Sequence, residues 1–69
     1  MFYIITEIQK NGEQITAVST VYTDRAQAES AFYSKAAYVP ITEADVMTIT
    51  ILKGTGEMIL APVTGGKNR

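Results

Sequence analysis

Two runs rich in Ile, Val, Thr and Tyr, Phe2 to Gln9 and Glu13 to Tyr22, flank the pair Asn11-Gly12, and this arrangement constrains the chain more than any other. Asn-Gly favours a two-residue type I′ turn, in which both central positions need positive φ, so the sequence predicts a β-hairpin. With Lys10 facing Glu13, one face pairs Ile8 with Ile15, Thr6 with Ala17, Ile4 with Ser19 and Phe2 with Val21. The other holds Glu7 with Thr16, Ile5 with Val18, Tyr3 with Thr20 and Met1 with Tyr22. Both faces carry large apolar side chains, more than one short helix can cover.

A helix is expected next. Asp24 can cap its start and Gln27 follows at capping-box spacing, ahead of an alanine-rich run, which predicts a span from Arg25 to Ala37. Ala28, Ala31, Phe32, Lys35 and Val39 fall near one stripe, with Phe32 as anchor. Pro40 then ends helical geometry, and residues 41–44 connect onward. Asp45 to Lys53 alternates as a third strand, with Met47, Ile49 and Ile51 on one face and Val46, Thr48, Thr50 and Leu52 on the other.

Glu57 to Val63 is the expected fourth strand, after a turn at Gly54-Thr55-Gly56. A three-residue loop pairs Lys53 with Glu57 and sets Ile59, Ala61 and Val63 beside Ile49 and Ile51, whereas a two-residue loop over Thr55-Gly56 reverses that relation. Pro62 favours an edge. The fold class is therefore α+β, a four-stranded antiparallel sheet in ββαββ order with one helix on one face. Residues 1–63 form the domain and 64–69 a flexible tail.

A 69-residue chain buries only about 60% of its unfolded surface, so its stability is slender. It has no cysteine and no histidine, which removes disulfides, the common zinc ligand sets and the usual nucleophile-plus-base combinations. No catalytic residue, metal site or cofactor is expected. Six basic against seven acidic residues give a net charge of −1, which argues against both phosphate-driven nucleic-acid binding and DNA mimicry. Met1 to Ile8 carries Glu7 and lacks the features of a signal peptide, and no segment reaches the ~20 apolar residues of a membrane span, so a cytoplasmic protein is the expectation.

If the helix covers Phe2, Ile4, Ile8, Ile15, Val21, Met47, Ile49, Ile51 and Ile59, the opposite side presents Tyr3, Ile5, Val18, Tyr22, Val46, Leu52, Met58 and Leu60. Such a face is too apolar to stay solvated, and burying eight such side chains at ~1.5 kcal/mol each contributes on the order of 10 kcal/mol before association costs. Tyr3, Ile5, Val18, Tyr22, Leu52, Met58 and Leu60 are accordingly the expected interface of a homo-oligomer, a dimer or larger. The competing reading covers them with the connection over 39–44 or with the carboxyl tail.

Two further clusters call for a chemical reading. Glu43 and Asp45 are the one close carboxylate pair, and their place beside a strand start reads as solvated charge. Tyr22, Arg25 and Tyr33 gather near the junction of sheet and helix, where aromatic faces, a guanidinium and helix amides could hold an anionic or planar ligand. Asp24 competes for the same amides.

The opening Tyr3-Ile4-Ile5-Thr6-Glu7-Ile8-Gln9, a β-turn, a second strand and an alanine-rich helix from Asp24 to Ala37 resemble the layout of tiny proteins encoded by phages and prophages, certain anti-CRISPR proteins among them. The resemblance implies a non-catalytic binding protein with an accessory or anti-defence role. It would either sequester a small nucleotide-like ligand between subunits or block a host protein through an apolar face or open strand edge. A structural or virion-associated assembly component is the alternative.

Overall fold

The computed structural model describes residues 1–67. Its elements are β1 (Tyr3–Asn11), β2 (Gln14–Tyr22), α1 (Arg25–Ala36), a 3₁₀ turn (Val39–Ile41), β3 (Val46–Lys53) and β4 (Val63–Gly65). The strands form one antiparallel sheet in the order β2-β1-β3-β4. With α1 laid on one side, this is the expected α+β architecture. The Cα envelope measures 36 × 20 × 15 Å, thick enough for the sheet and a single covering layer.

The hairpin forms through a different turn. Asn11 pairs with Gln14 and Ile8 with Ala17, so Gly12 and Glu13 occupy the loop in place of Asn11 and Gly12. Gly12 has φ 63° and no non-glycine residue has positive φ, which matches a type II′ turn, where only the first central residue must be left-handed. Asn11 stays extended as the last residue of β1. The register slips by two residues, an even number, so each hairpin side chain keeps its expected face.

α1 begins where its cap places it: the Asp24 carboxylate accepts from the Ala26 N–H at 2.9 Å. Ala28 and Phe32 point into the core. Lys35, on the same stripe, is half-buried because it meets Glu7 of β1 at 3.7 Å.

Which sheet face the helix covers is the principal correction. β1 and β3 pair Ile5 with Ile51, Glu7 with Ile49 and Gln9 with Met47, so the odd-numbered residues of both strands share the helix side. The core is Tyr3, Ile5, Ala28, Phe32, Val39, Met47, Ile49 and Ile51, with Tyr22, Ala31, Ile59, Leu60 and Val63 packed against it. Tyr3 and Ile5, expected at the interface, are therefore interior. Phe2, Ile4, Ile8, Ile15 and Val21, expected in the core, lie on the opposite side. Glu7 is tolerated on the covered side because Lys35 and a 2.7 Å hydrogen bond from Gln9 Nε2 meet it at the helix margin.

The second half of the sheet is also shorter than expected. The three-residue loop is correct, since the Lys53 N–H donates to the Glu57 carbonyl at 2.8 Å and Leu52 bridges Met58. The Ile59 N–H still reaches the Ile51 carbonyl at 3.3 Å, but the next ladder pair is Ile49 with Val63. Two residues on β3 thus oppose four on its neighbour, a bulge that contains Pro62, which has no N–H to give to a ladder. Regular pairing resumes only at Val63–Gly65.

That pairing also corrects the domain boundary at residue 63. Thr64 and Gly65 belong to the sheet, and the Lys67 N–H donates to the Ala44 carbonyl at 2.9 Å. Asn68 and Arg69, the rest of the expected tail, lie outside the described residues.

Candidate functional site

The side of the sheet away from α1 is built in cross-strand rows. At one end Val21, Ile4 and Leu52 stand side by side with Met58 beyond them, and the Phe2 ring lies over Gly54. Ser19, Thr6 and Thr50 form the middle row, then Ala17, Ile8, Thr48 and Thr64, then Ile15, Lys10 and Val46. Lys10 is the only charge that the strands place on this side.

Its hydroxyls are partly spent on one another. Thr6 Oγ1 and Ser19 Oγ lie 3.0 Å apart, and Thr48 Oγ1 and Thr64 Oγ1 3.2 Å apart. Cross-strand hydroxyl pairs of this kind help hold neighbouring strands together. Ile15 is 64% exposed, Val21 60% and Met58 56%. Nothing in the connection over 39–44 covers them, because Val39 and Ala44 are buried and Val39 packs with the helix-side core, its Cγ1 close against Gly65.

The surplus of apolar sheet surface read from the sequence is therefore present, carried largely by other residues. Of the expected interface, Leu52 and Met58 are on the open side, Leu52 half-buried and Met58 exposed. Val18 is 57% exposed but on the helix side of β2, where it pairs with Glu7. Tyr3 and Ile5 are buried, and Tyr22 and Leu60 pack against the core. The signal that finds the right face is the β1–β3 register, which neither hairpin encodes by itself.

The expected ligand cluster is not assembled by any bond or ring contact among the described residues. Arg25 Nε donates to Glu29 Oε2 at 2.6 Å, and this hydrogen bond raises the guanidinium pKa against a weaker opposing effect of desolvation. Tyr33 stands edge-on to Phe32, ring centroids 5.5 Å apart, on the exposed flank of α1. Tyr22 faces Tyr3 across the hairpin. No cavity, and no cluster of residues able to hold a metal ion, is found among the described residues.

Asp45 has a structural role that its proximity to Glu43 does not suggest. Its Oδ2 accepts from the Gly12 N–H at 2.6 Å, its Oδ1 pairs with Lys67 Nζ at 3.0 Å, and its own N–H donates to the Lys10 carbonyl at 2.8 Å. One carboxylate thus joins the hairpin tip, the start of β3 and the segment after β4. The Gly12 amide first, and then Lys67, hold the Asp45 carboxyl below the ordinary carboxylate range.

A carboxyl depressed in the folded state stabilises fully above its unfolded pKa, near 3.9 for Asp, and loses that contribution as pH falls through its lower folded value. Asp45→Asn is therefore expected to melt earlier than the parent at pH 7. The gap between the two melting temperatures should shrink as pH is lowered below about 4. Thermal melts of both proteins across pH 2–7 check this, and a gap that does not change with pH would disprove the charge-based latch.

No protein family, characterised protein or solved structure matches this chain. Function is therefore argued from surface geometry. No helix among the described residues is long and apolar enough to cross a membrane.

Proposed function

We propose that the protein is a non-catalytic, self-associating binding protein that works by seating its open sheet face on another protein surface. The observation that supports this most directly is the open face itself, where exposed Ile8, Ile15, Val21, Val46 and Met58 surround a band of hydroxyls and Lys10 is the one charge on the strands. An antiparallel sheet that keeps one side in water normally alternates into polar residues on that side, and contiguous apolar patches of several hundred Å² mark contact surfaces. Blocking a host protein, one of the two roles implied by the likeness to small phage accessory proteins, requires only such a face and no catalytic group.

Ile8 sits within the face, between Ala17 and Thr48, and is 39% exposed. Ile8→Lys should preserve the fold, because the new ammonium reaches solvent, and should reduce the sedimentation coefficient relative to the parent at equal concentration. A parent that sediments as a monomer at several hundred micromolar, or an Ile8→Lys variant that assembles like the parent, would overturn the reading.

A further inference from the structure

The two edges of the sheet are treated very differently. At the β4 edge the ladder is three residues long, it follows Pro62 and a bulge, and it ends where Gly66 passes so close to the Asp45 carbonyl that a Cβ there would overlap it. Short strands, prolines and bulges are the devices that keep an edge from recruiting another chain. β2 has none of them. It is nine residues long, Gln14–Tyr22, with no proline, glycine or charge, and it pairs with β1 at every position without interruption.

β2 is also close to a palindrome in side-chain character. About Val18, the flanking positions are small (Ala17 and Ser19), then threonine (Thr16 and Thr20), then β-branched and apolar (Ile15 and Val21). A two-fold axis makes each residue i of one copy face a residue j of the other and j face i, so a strand that reads alike in both directions is self-complementary under that symmetry.

The backbone phase agrees. In a two-residue hairpin the closing pair, here Asn11 with Gln14, exchanges both hydrogen bonds, so even-numbered residues of β2 bond to β1 and odd-numbered ones turn their N–H and C=O outward. Ile15, Ala17, Ser19 and Val21 are those residues. Antiparallel pairing centred on Val18 joins Ala17 to Ser19 and Ile15 to Val21 of the second copy, outward groups to outward groups.

We propose that β2 is a homotypic pairing edge, which joins two copies of this chain about a two-fold axis at Val18 into one continuous eight-stranded sheet. The occupant is a second copy because the apposed strands match in size and polarity and bring no charges together. The axis runs perpendicular to the sheet, so both helices lie on one side and the two open faces merge on the other. Space for the partner exists on the helix side, since Val18 is 57% exposed and Thr16 is also exposed. The inference rests on the reading of the protein as self-associating and names where the first contact forms.

Val18 would meet itself across the axis, in a pair not joined by backbone bonds, where side chains approach most closely. Val18→Lys and Val18→Glu should therefore each weaken dimerisation about tenfold or more in sedimentation equilibrium. An equimolar mixture should recover the dimer, as energy transfer between fluorophores carried by the two variants would report. Ala17→Pro, which removes an outward N–H without adding charge, should also give a monomer, and circular dichroism establishes that each variant is folded.

Folded single variants that keep the parental size would overturn the proposal, as would a mixture that stays monomeric. The outcomes separate the edge from the face. Assembly lost in Ile8→Lys but kept in the Val18 variants refutes the edge and leaves the face, and the reverse pattern refutes the face and leaves the edge.

Discussion

Lysine in place of Ile5 is expected to abolish the fold, whereas lysine in place of Ile8, three residues along the same strand, is expected to leave it intact. Ile5 is 1% exposed and sits beneath α1 between Thr20 and Ile51. Losing its burial costs about 1.5–3 kcal/mol, and an unpaired charge forced inside adds about 3–5 kcal/mol. A 69-residue domain has about 3–10 kcal/mol of stability to lose. The sum takes most or all of it. Ile8 faces the other way and is 39% exposed, so the burial it loses is smaller and its new charge reaches water. Circular dichroism and amide dispersion in a proton–nitrogen spectrum of the two variants decide the matter, and a cooperatively folded Ile5→Lys protein would show that the helix-side assignment is wrong.

Phe32→Ala should be nearly as damaging. Phe32 is 2% exposed and is one of only two residues that α1 buries, the other being Ala28. Truncating a buried phenylalanine costs about 3–5 kcal/mol, because the site loses both the transfer of the ring and the contacts around the cavity left behind. Nothing else on the helix can replace it, since Ala28 and Ala31 were already small and Lys35 is committed to Glu7. The variant is expected to unfold at or near room temperature, with the helical signal lost together with the sheet. A thermal midpoint within about 5 °C of the parent, which for a domain of this size is roughly 1 kcal/mol, would contradict this account.

Local chemistry was legible in the sequence and the lateral assembly of the sheet was not. Asp24 announces the start of α1, the alternation from Val46 to Lys53 announces β3, and Gly12 announces a turn, because each signal is confined to a few neighbouring residues. The turn type was misplaced by one residue, since Asn11-Gly12 and Gly12-Glu13 both offer a glycine for a left-handed position and only the ladder distinguishes them. Pro62 marked an edge, yet the strand resumes beyond it at Val63–Gly65, where Thr64-Gly65-Gly66 shows little propensity of its own.

The assignment of faces depends on pairing between β1 and β3, some forty residues apart in the chain. No local pattern sets that register, so the hairpins could be read correctly one by one and still be combined wrong side up. The conclusion that apolar surface is left over survived the error, because every pairing of these faces leaves one rich in Ile and Val. Of the residues expected to form that surface, Leu52 and Met58 stay on the open side, whereas Tyr3 and Ile5 turn inward.

The three-way junction at Asp45 has a dynamic consequence. The hairpin tip and the segment that follows β4 lie far apart in sequence, and tips and terminal segments ordinarily fray on their own. Here the Gly12 amide and the Lys67 ammonium share one carboxylate, so releasing either leaves Asp45 half-unsatisfied and loosens the other. The two regions should therefore open together more often than two independent ends would, and acid strong enough to protonate Asp45 should loosen both.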